Sequence, residues 1–350
     1  MNVLVTGGAG YLGSVLIPKL LARGHRVRVL DLGYFGLSHL RALKPAIDLI
    51  REDLRVVLAN PKRTREMLDG CDCVIHLAAV SNDPSAELNP ELTEEVNFRA
   101  TEALAEAALN HKTRLIFSSS CSVYGAAEGE IDEEGKVNPL TVYASSKIKA
   151  ERSLKDMALS AWSPVILRNG TLFGYSHRMR FDLVVNIFSL YSALRKEIKI
   201  FGDGLQWRPF LHVSDCARAF IFFAERHDLQ HLFYNIAHEN LRVADVAERF
   251  QKIVPALRVT RLESSDEDRR DYRVSTARMR MEGFNTRIGI EMGAEEMIDA
   301  IITGLISDPE SIFHRNAKWL KELTQFGSKD HRDVLIMIEN LAQSFAPARV

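Results

Sequence analysis

A tyrosine and a lysine four residues apart have the clearest potential for proton-transfer chemistry in this sequence. Tyr143 and Lys147 stand in a stretch of helical spacing that begins near Thr141, so both side chains should project from one helix face. An ordinary tyrosine ionises near pH ~10, and a neighbouring ammonium favours its phenolate. A serine run, 118–122, ends the strand predicted at 114–117 and could fix a substrate hydroxyl. Together these residues predict removal of a proton from an alcohol.

The opening residues predict where an oxidising cofactor would bind. An apolar strand runs into Thr6-Gly7-Gly8-Ala9-Gly10-Tyr11-Leu12-Gly13, and a helical pattern follows. Gly7 permits a tight turn, Gly10 lets the backbone approach a diphosphate, and Gly13 lets the helix pack closely on the sheet. The diphosphate would rest on the helix N-terminus. A glycine turn also closes ordinary strand–helix units, which is the alternative interpretation.

An acidic residue supports NAD as the cofactor. Residues 25–30 predict a second strand that ends at Asp31, roughly 20 residues past the glycine motif. A carboxylate there accepts hydrogen bonds from both ribose hydroxyls and repels a 2′-phosphate, which favours NAD over NADP. A predicted third strand ends near Asp53 and Leu54, where an acid could meet the adenine amino group. The alternative for Asp53 is a helix N-cap.

The order of predicted elements indicates an α/β fold, a Rossmann-like doubly wound parallel sheet. Strands and helices alternate through the first 120 residues, which places a ligand at the carboxyl ends of the strands. We predict an NAD-binding domain over 1–173, a smaller C-terminal substrate-binding lobe over 174–306 interleaved with the sheet, and a helical extension over 307–350. Residues 125–140, rich in Glu, Gly and Asn, predict a loop.

Composition argues against several classes of function. The 350 residues carry a formal net charge of −1, which gives no basis for a nucleic-acid or membrane-surface partner. No stretch approaches the ~18 uninterrupted apolar residues of a membrane span, and no signal-peptide pattern precedes the first strand, so we expect a cytoplasmic protein. Four cysteines are too few and too irregularly spaced for a disulfide framework or a zinc site, so no metal is predicted.

These motifs together resemble those of the extended short-chain dehydrogenase/reductases, in particular the NAD-dependent epimerase/dehydratase group that acts on nucleotide-linked sugars. The resemblance also includes His76-Leu77-Ala78-Ala79 and Val123-Tyr124-Gly125 after the serine run. It implies that Ser120 is the catalytic serine, that Tyr143 is the base and that Lys147 binds the nicotinamide ribose. It also implies a homodimer and a nucleotide-diphosphate sugar as substrate.

The resemblance further implies contacts to both ligands. Residues 202–215 are similar to the family segment whose glutamine and arginine face the substrate diphosphate. The expected substrate contacts are Ser81, Ser122, Asn186, Gln206, Arg208 and Arg270. The expected cofactor contacts are Gly7, Gly10, Tyr11, Leu12, Gly13, Asp31, Asp53, Leu54, Leu77, Ala78, Ala79, Asn97, Ser118, Tyr143 and Lys147. Arg208 is the first choice for the diphosphate, with a surface ion pair as its alternative.

The two residues after Ser120 narrow the expected chemistry. Dehydrating relatives carry Asp-Glu there, decarboxylating relatives carry Glu at the position of Ser122, and 3,5-epimerising relatives carry Cys at that position. This chain has Cys121-Ser122, and on an extended segment Cys121 would face away from the site. Reversible oxidation of a sugar hydroxyl remains, most often at C4, with net epimerisation as the leading hypothesis. The alternatives are a 4-dehydrogenase or 4-ketoreductase and, more remotely, a non-catalytic NAD-binding regulator.

Two further segments bear on the substrate pocket. Asn169-Gly170 replaces bulkier residues of the family and Thr171 stands where many relatives have asparagine, which predicts an unusual sugar pocket. The segments 176–182 and 268–273 are rich in arginine. They fit an anionic nucleotide diphosphate, and a solvated charged face is the alternative.

Overall fold

The computed structural model describes residues 1–159, 162–263 and 270–325, and its largest element is a seven-stranded parallel sheet. The strands are β1 (Asn2–Thr6), β2 (Arg26–Leu30), β3 (Ile47–Ile50), β4 (Cys73–His76), β5 (Arg114–Ser120), β6 (Ala126–Ile131), β7 (Val165–Asn169), β8 (Thr171–Phe173), β9 (Glu197–Phe201), β10 (Trp207–His212), β11 (Phe233–Ile236), β12 (Glu239–Arg242), β13 (Arg258–Leu262) and β14 (Asp271–Val274).

The helices alternate with these strands in the first half of the chain. They are α1 (Gly13–Ala22), α2 (Leu54–Leu58), α3 (Pro61–Leu68), α4 (Asp83–Ala86), α5 (Pro90–Glu94), α6 (Ala100–Asn110), α7 (Val142–Met157), α8 (Val184–Leu194), α9 (Val213–Glu225), α10 (Val243–Ile253), α11 (Ala277–Met281), α12 (Ile290–Ile302) and α13 (Asn316–Gln325). A π-helical turn, Glu95–Arg99, joins α5 to α6. No helix in the described part of the chain has the length and apolar character needed to cross a membrane.

The order of the large sheet confirms the predicted fold class. Its strands run β11-β7-β5-β4-β1-β2-β3, and each neighbouring pair is parallel. The strand order therefore changes direction at β1, with β2 and β3 on one side and β4, β5 and β7 on the other. In such a sheet, ligands bind at the carboxyl ends of the strands beside this switch point. The glycine turn after β1 lies at that position.

The strand β1 shows why the sheet is stable only with helices on both faces. Val3, Leu4 and Val5 are all fully buried. Val3 and Val5 belong to one hydrophobic cluster with Leu16 of α1, whereas Leu4 belongs to a second cluster with Leu104 of α6. Successive side chains of a strand point to opposite faces, so a strand covered on both sides must be apolar throughout.

The smaller sheets are formed mainly by the second half of the chain. They have the orders β12-β10-β8, β13-β9 and β14-β6. A separate core, which includes Phe173, Phe210, Phe250 and Ile290, lies beside them. Because β11 pairs with β7, residues from this half also extend the large sheet. The domain bounds that we drew from the sequence stay a prediction.

Two segments differ from the sequence expectation or lie beyond it. The predicted loop at 125–140 contains β6, which pairs in parallel with β14. Most side chains of β6 are exposed, so the strand lacks a hydrophobic signature, and its partner comes from a distant part of the chain. The predicted C-terminal helix at 317–323 is present as α13. A second one, predicted at 334–344, lies outside the described residues.

Candidate active site

The strand β5 and the helix α7 bring Ser120, Tyr143 and Lys147 together at the carboxyl end of the large sheet. Ser120 is the last residue of β5, and its hydroxyl is close enough to Tyr143 to lower the pKa of that phenol against the effect of burial. Tyr143 lies in the first turn of α7, which the side chain of Thr141 caps. Lys147 follows one turn later, with Nζ 5.8 Å from the centroid of the Tyr143 ring. This is the cluster that the sequence predicted.

The electrostatics of this cluster differ from the sequence expectation. Lys147 is buried, and its Nζ donates to the carbonyl oxygen of Ser118 at 2.9 Å. Burial lowers the pKa of Lys147 to about 7, although Glu151 opposes this shift. Burial also raises the pKa of Tyr143 to about 12. The expected lowering of the tyrosine pKa by Lys147 is therefore absent, because the ammonium contacts a backbone carbonyl and desolvation dominates.

A buried polar network lies behind the serine run and holds β5 against α7. Glu151 of α7 accepts a hydrogen bond from Ser119 at 2.5 Å and forms an ion pair of 2.7 Å with Arg168 of β7. Asn169 donates to the hydroxyl of Ser118 at 3.1 Å. These contacts are buried, so each polar group depends on its partner. They fix the strand end that presents Ser120.

Asn169 and Gly170, which we expected to alter the sugar pocket, are packing residues in this structure. The Asn169 amide donates to Ser118 and to the carbonyl oxygen of Ser119, at 3.1 and 3.2 Å. A Cβ on Gly170 would lie 2.9 Å from the carbonyl oxygen of Pro209. The close approach of neighbouring strands thus gives both residues a packing role, and the unusual sugar pocket stays a prediction.

The glycine turn has the features that a dinucleotide diphosphate requires. Gly7 has φ +71°, and a Cβ there would lie 2.6 Å from the Ala78 nitrogen. A Cβ on Gly13 would lie 2.4 Å from the Gly8 carbonyl oxygen, so Gly13 is required by the turn itself more than by the sheet. At Gly10, by contrast, only the Gly7 carbonyl oxygen lies within 4 Å of that position, which leaves its other sides open.

Unpaired donors at the same turn also fit an anion. The backbone N–H groups of Tyr11 and Leu12 have no acceptor among residues 1–159, 162–263 and 270–325. Both residues are buried just before α1. Buried N–H groups are nearly always paired, and N–H groups at a helix N-terminus favour a phosphate. The residues present therefore fit the diphosphate of NAD.

The acidic residues predicted to contact the adenosine half of NAD have different surroundings. Asp31 lies beside the glycine turn, where its carboxylate accepts from the N–H groups of Ala9 and Gly33, at 2.9 and 2.7 Å. Asp53 caps α2 and forms an ion pair of 2.7 Å with Arg55. The helix N-cap, given above as the alternative for Asp53, is thus present. Its contact with adenine, like that of the neighbouring Leu54, stays a prediction.

The residues after β4 are held by Asn97. This side chain is fully buried in the π-helical turn and accepts from the Val80 N–H at 2.7 Å. Its amide nitrogen donates to Ser146 of α7 at 3.0 Å. Asn97 therefore links the segment 77–80 to the helix that carries Tyr143. That segment includes Leu77, Ala78 and Ala79, which lie next to the glycine turn.

The residues expected to bind the substrate diphosphate lie on and near β10. Arg208 is buried in β10, and its guanidinium donates to the carbonyl oxygens of Trp207 and Arg270. Arg270 forms an ion pair of 2.5 Å with Asp83 of α4. Gln206 is half-buried directly before β10. Arg208 is only 5% exposed, so it does not lie on the surface as the alternative for it supposed.

Asn186 was also expected to bind substrate, and its surroundings favour a structural role instead. It is fully buried in α8 and accepts from the Gly174 N–H at 3.0 Å. Its amide nitrogen donates to the Tyr11 hydroxyl at 3.0 Å and to the Arg180 carbonyl oxygen at 2.9 Å. Both amide protons are thus used within the protein, and Asn186 fixes the segment after β8 to the glycine turn.

Two serines complete the expected substrate contacts. Ser81 accepts from the side chain of Asn316, the first residue of α13, at 3.1 Å. Ser122 is only 3% exposed, and its hydroxyl has no hydrogen-bond partner among the described residues. A buried hydroxyl is seldom left unpaired in a protein. The Ser122 hydroxyl thus keeps unused hydrogen-bonding capacity, and its contact with the substrate stays a prediction.

The arginine-rich segment at 176–182 is buried, which excludes the solvated face considered above. Arg180 pairs with Asp182 through two hydrogen bonds of 2.9 and 3.0 Å, and Asp182 also accepts from Asn82 at 2.7 Å. Arg180 is near enough to lower the pKa of Tyr143 against the effect of burial. The sequence identified this segment as cationic but did not single out Arg180. The spacing of its arginines gives no sign of their burial.

Known proteins show similarity over most of this chain. The model of the NAD dependent epimerase/dehydratase family matches residues 3–237. The chain is 32% identical over 234 residues to the uncharacterized UDP-glucose epimerase YtcB of Bacillus subtilis, covering 62% of this chain and 71% of that protein. It is 32% identical over 239 residues to the UDP-glucose 4-epimerase of Mycolicibacterium smegmatis, covering 63% and 72%.

Solved structures extend this similarity to the second half of the chain. MoeE5 in complex with UDP-glucose and NAD aligns with a TM-score of 0.72 at 29% identity, covering 87% of this chain and 100% of that one. The family model therefore matches most of the length of this chain. The matched part includes the glycine turn, the serine run, Tyr143 and Lys147. The chain belongs to the NAD-dependent epimerase/dehydratase family of extended short-chain dehydrogenase/reductases, enzymes that use NAD to modify nucleotide sugars.

Proposed function

We propose that the protein epimerises a nucleotide-diphosphate sugar at C4 through a transient keto-sugar. The observation that carries this proposal is the arrangement of Ser120, Tyr143 and Lys147 beside the glycine turn, with no acid at the next two positions after Ser120. These residues suffice for reversible oxidation of an alcohol. They do not include the acid that expulsion of a hydroxyl requires.

In this proposal each residue has one task. Ser120 holds the oxygen of the sugar C4 hydroxyl, and Tyr143 takes its proton. Burial keeps Tyr143 protonated in the protein alone, so the positive charge of bound NAD would be needed to favour its phenolate. NAD, when bound, would supply reversible hydride transfer at C4, and the keto-sugar would turn in the pocket before the hydride returns to its opposite face. Tyr143 then gives the proton back to the C4 oxygen. Proton and hydride are both restored, so the net change is the configuration at C4.

The surroundings of Cys121 support epimerisation over dehydration. Its thiol donates to the carbonyl oxygen of Arg168 at 3.1 Å, and the residue is only 1% exposed. Burial raises the pKa of this thiol well above its usual range. Cys121 is therefore unsuited to proton transfer at the sugar. Ser122, the next residue, is suited to hold a sugar hydroxyl but not to ionise.

The relatives support a uridine diphosphate sugar as the substrate. MoeE5 has been solved with UDP-glucose and with UDP-glucuronic acid. The UDP-glucuronic acid 4-epimerase of Bacillus cereus aligns at 25% identity with a TM-score of 0.74. We therefore propose a UDP-hexose or UDP-hexuronic acid, with its diphosphate near Gln206, Arg208 and Arg270 and its sugar near Ser81 and Ser122. The homodimer and the cytoplasmic location stay predictions.

Incubation with NAD and a panel of nucleotide sugars tests this proposal. UDP-glucose, UDP-glucuronic acid and UDP-N-acetylglucosamine are followed by NMR for the C4 epimer and by absorbance for NADH. An epimer that appears without net NADH supports the proposal. NADH formed in proportion to oxidised sugar would establish the 4-dehydrogenase alternative, and reduction of a 4-keto-sugar without epimer formation would establish the ketoreductase.

A single substitution separates the enzyme from the non-catalytic regulator. Tyr143→Phe removes the proton acceptor but leaves the glycine turn untouched. We expect turnover to fall about 10²- to 10⁴-fold, the usual contribution of a general base. Affinity for NAD, measured by calorimetry, should change less than about twofold. Unchanged biological activity of the variant would favour the regulator.

A further inference from the structure

Arg178 is a buried cation without a carboxylate partner. Its residue is 3% exposed, and no carboxylate in the described part of the chain lies within ion-pair distance of its guanidinium. One terminal nitrogen donates to Asn316 Oδ1 at 2.5 Å, while its Nε has no hydrogen-bond acceptor among the described residues. An unpaired buried charge is costly for a folded protein. Such a group points to an anion that completes its environment.

The backbone around Arg178 places it over the glycine turn. Ser176 hydrogen-bonds the Ser14 hydroxyl at 2.6 Å and donates to the Tyr11 carbonyl oxygen at 2.8 Å, and it accepts from the Arg178 N–H at 3.3 Å. The guanidinium carbon lies 3.7 Å from the centroid of the Phe35 ring, which follows β2. Arg178 therefore reaches from the start of α1 towards the adenosine side of the cleft.

The charged groups around Arg178 leave its positive charge only partly compensated. Burial and the neighbouring Arg180 lower the pKa of Arg178, whereas Asp182, Asp31 and Tyr11 raise it. Asp182 is already paired with Arg180, and both Asp31 oxygens accept backbone N–H groups. The neighbouring His39 is held neutral, because burial and Arg178 lower its pKa to about 4. An anion of one or two charges would balance this region.

The helix α13 completes the same region from the far end of the chain. Its first residue, Asn316, accepts from Arg178, donates to Ser81 after β4, and has its backbone N–H on Asp182 at 3.1 Å. Trp319 donates to the Tyr34 carbonyl oxygen, after β2, at 2.7 Å. Because β1 lies between β4 and β2 in the sheet, α13 bridges the carboxyl end of β1.

We propose that Arg178 binds the diphosphate of NAD and that Asn316 positions it, so that the C-terminal helix completes the cofactor site. The unpaired Arg178 Nε and the unpaired N–H groups of Tyr11 and Leu12 then hold the diphosphate from opposite sides. Arginine is well suited to this contact, since its planar donor fork matches a phosphate. The proposal rests on NAD occupying the glycine turn, and not on the reaction at C4.

Calorimetry on Arg178→Met tests the diphosphate contact. A hydrogen bond to a charged group contributes about 1.5–3 kcal/mol, so affinity for NAD and for ADP-ribose should fall about 10- to 100-fold. Affinity for adenosine, measured by NMR titration, should change less than twofold because adenosine has no phosphate. Arg249→Met, which removes a cation paired with Glu239 away from the cleft, should leave all three affinities unchanged.

Two further variants keep the test decisive. Arg178→Lys keeps the charge and should recover part of the NAD affinity, and it replaces the Met variant if that one fails to fold. Asn316→Ala removes an acceptor of Arg178 and should bind NAD about 3- to 10-fold more weakly. Asn316→Asp places a carboxylate on Arg178 that competes with the diphosphate, so it should also weaken NAD binding while leaving adenosine binding unchanged.

Three results would overturn the proposal. One is unchanged NAD affinity in a folded Arg178→Met protein. Another is an equal loss for NAD and adenosine together with a lower melting temperature, which would indicate a purely structural arginine. The third is a loss confined to NADP, which would assign Arg178 to a 2′-phosphate. None of these measurements depends on turnover, so a different reaction at the sugar would leave the outcome readable.

Discussion

The Lys147 ammonium donates to the Ser118 carbonyl oxygen at 2.9 Å, and this contact joins α7 to the strand that ends at Ser120. Lys147 is 2% exposed, and burial lowers its pKa to about 7. The folded protein therefore holds the proton of Lys147 less tightly than the unfolded chain does. Burial of the Lys147 ammonium thus has a measurable cost in the stability of the folded protein, and that cost depends on pH.

Lys147→Met should remove this pH dependence. Since the folded pKa lies below the unfolded one, the unfolded chain binds more protons between about pH 7 and pH 10.5, and stability rises with pH there. We expect the wild type to gain roughly 3–5 kcal/mol relative to the variant across this range. Urea unfolding at several pH values measures it. Lys149→Met is an exposed change on the same helix, and its difference from the wild type in free energy of unfolding should not vary with pH. If the wild type and Lys147→Met gave parallel curves of unfolding free energy against pH, the prediction would be refuted.

Cys121 and Ser122 should respond differently to replacement by alanine. The Cys121 thiol is directed to the Arg168 carbonyl oxygen, so Cys121→Ala should leave kcat within about twofold and lower stability by about 1 kcal/mol. The Ser122 hydroxyl lacks a partner within the described chain, so Ser122→Ala should chiefly raise KM for the sugar, about 3- to 10-fold. Steady-state kinetics of the two variants measure both effects. A large fall in kcat for Cys121→Ala, with KM unchanged in Ser122→Ala, would assign the chemistry to Cys121.

Substitutions at Gly7, in the glycine turn, and at Gly24, after α1, form a matched pair that separates steric contact from backbone strain. Both have positive φ, but a Cβ at Gly7 would lie 2.6 Å from the Ala78 nitrogen, whereas nothing lies within 4 Å at Gly24. Gly24→Ala should cost roughly 1–2 kcal/mol from backbone strain alone. Gly7→Ala adds a clash and should cost roughly 2–5 kcal/mol, with loss of NAD binding. Equal effects in thermal unfolding and calorimetry would argue against the packing role of Gly7.

The ion pair of Glu151 with Arg168 should dominate the stability of the site. Both side chains are almost fully buried, so Glu151→Leu leaves an uncompensated Arg168 and should cost about 3–5 kcal/mol. Adding Arg168→Met should recover most of that loss, because the second variant removes the stranded charge. Arg23→Met breaks the exposed pair with Glu225 and should cost under about 1 kcal/mol. Chemical denaturation of the wild type, both single variants of the pair, the double variant and Arg23→Met gives the comparison. Losses in the double variant equal to the sum of the two single losses would contradict this view.

The large sheet could be predicted because its signals are local. The apolar strand, the glycine turn and the acidic residue at the end of β2 lie within the first 31 residues, and each has a direct physical reason. The helical spacing of Tyr143 and Lys147 likewise indicated that they share a helix face. Their meeting with Ser120 followed from the rule that parallel strands end at one edge of the sheet.

What the sequence did not reveal depends on contacts between distant residues. The pairing of β6 with β14 and the burial of Arg178 by Asn316 both join segments more than a hundred positions apart. The structural contacts of Asn186 were missed for the same reason, since its partners include Tyr11, 175 positions away in the chain. The pKa of Tyr143 was misjudged because a spacing rule reports proximity and not desolvation.

The bond from Trp319 to Tyr34 spans 285 positions of the chain, and it sets an order of events during synthesis. All strands of the large sheet are complete at residue 236, long before α13 leaves the ribosome. A nascent chain can therefore build its sheet while the adenosine side of the cleft is still open. The helix α13 can therefore cover that side only after every strand of the large sheet has been synthesised.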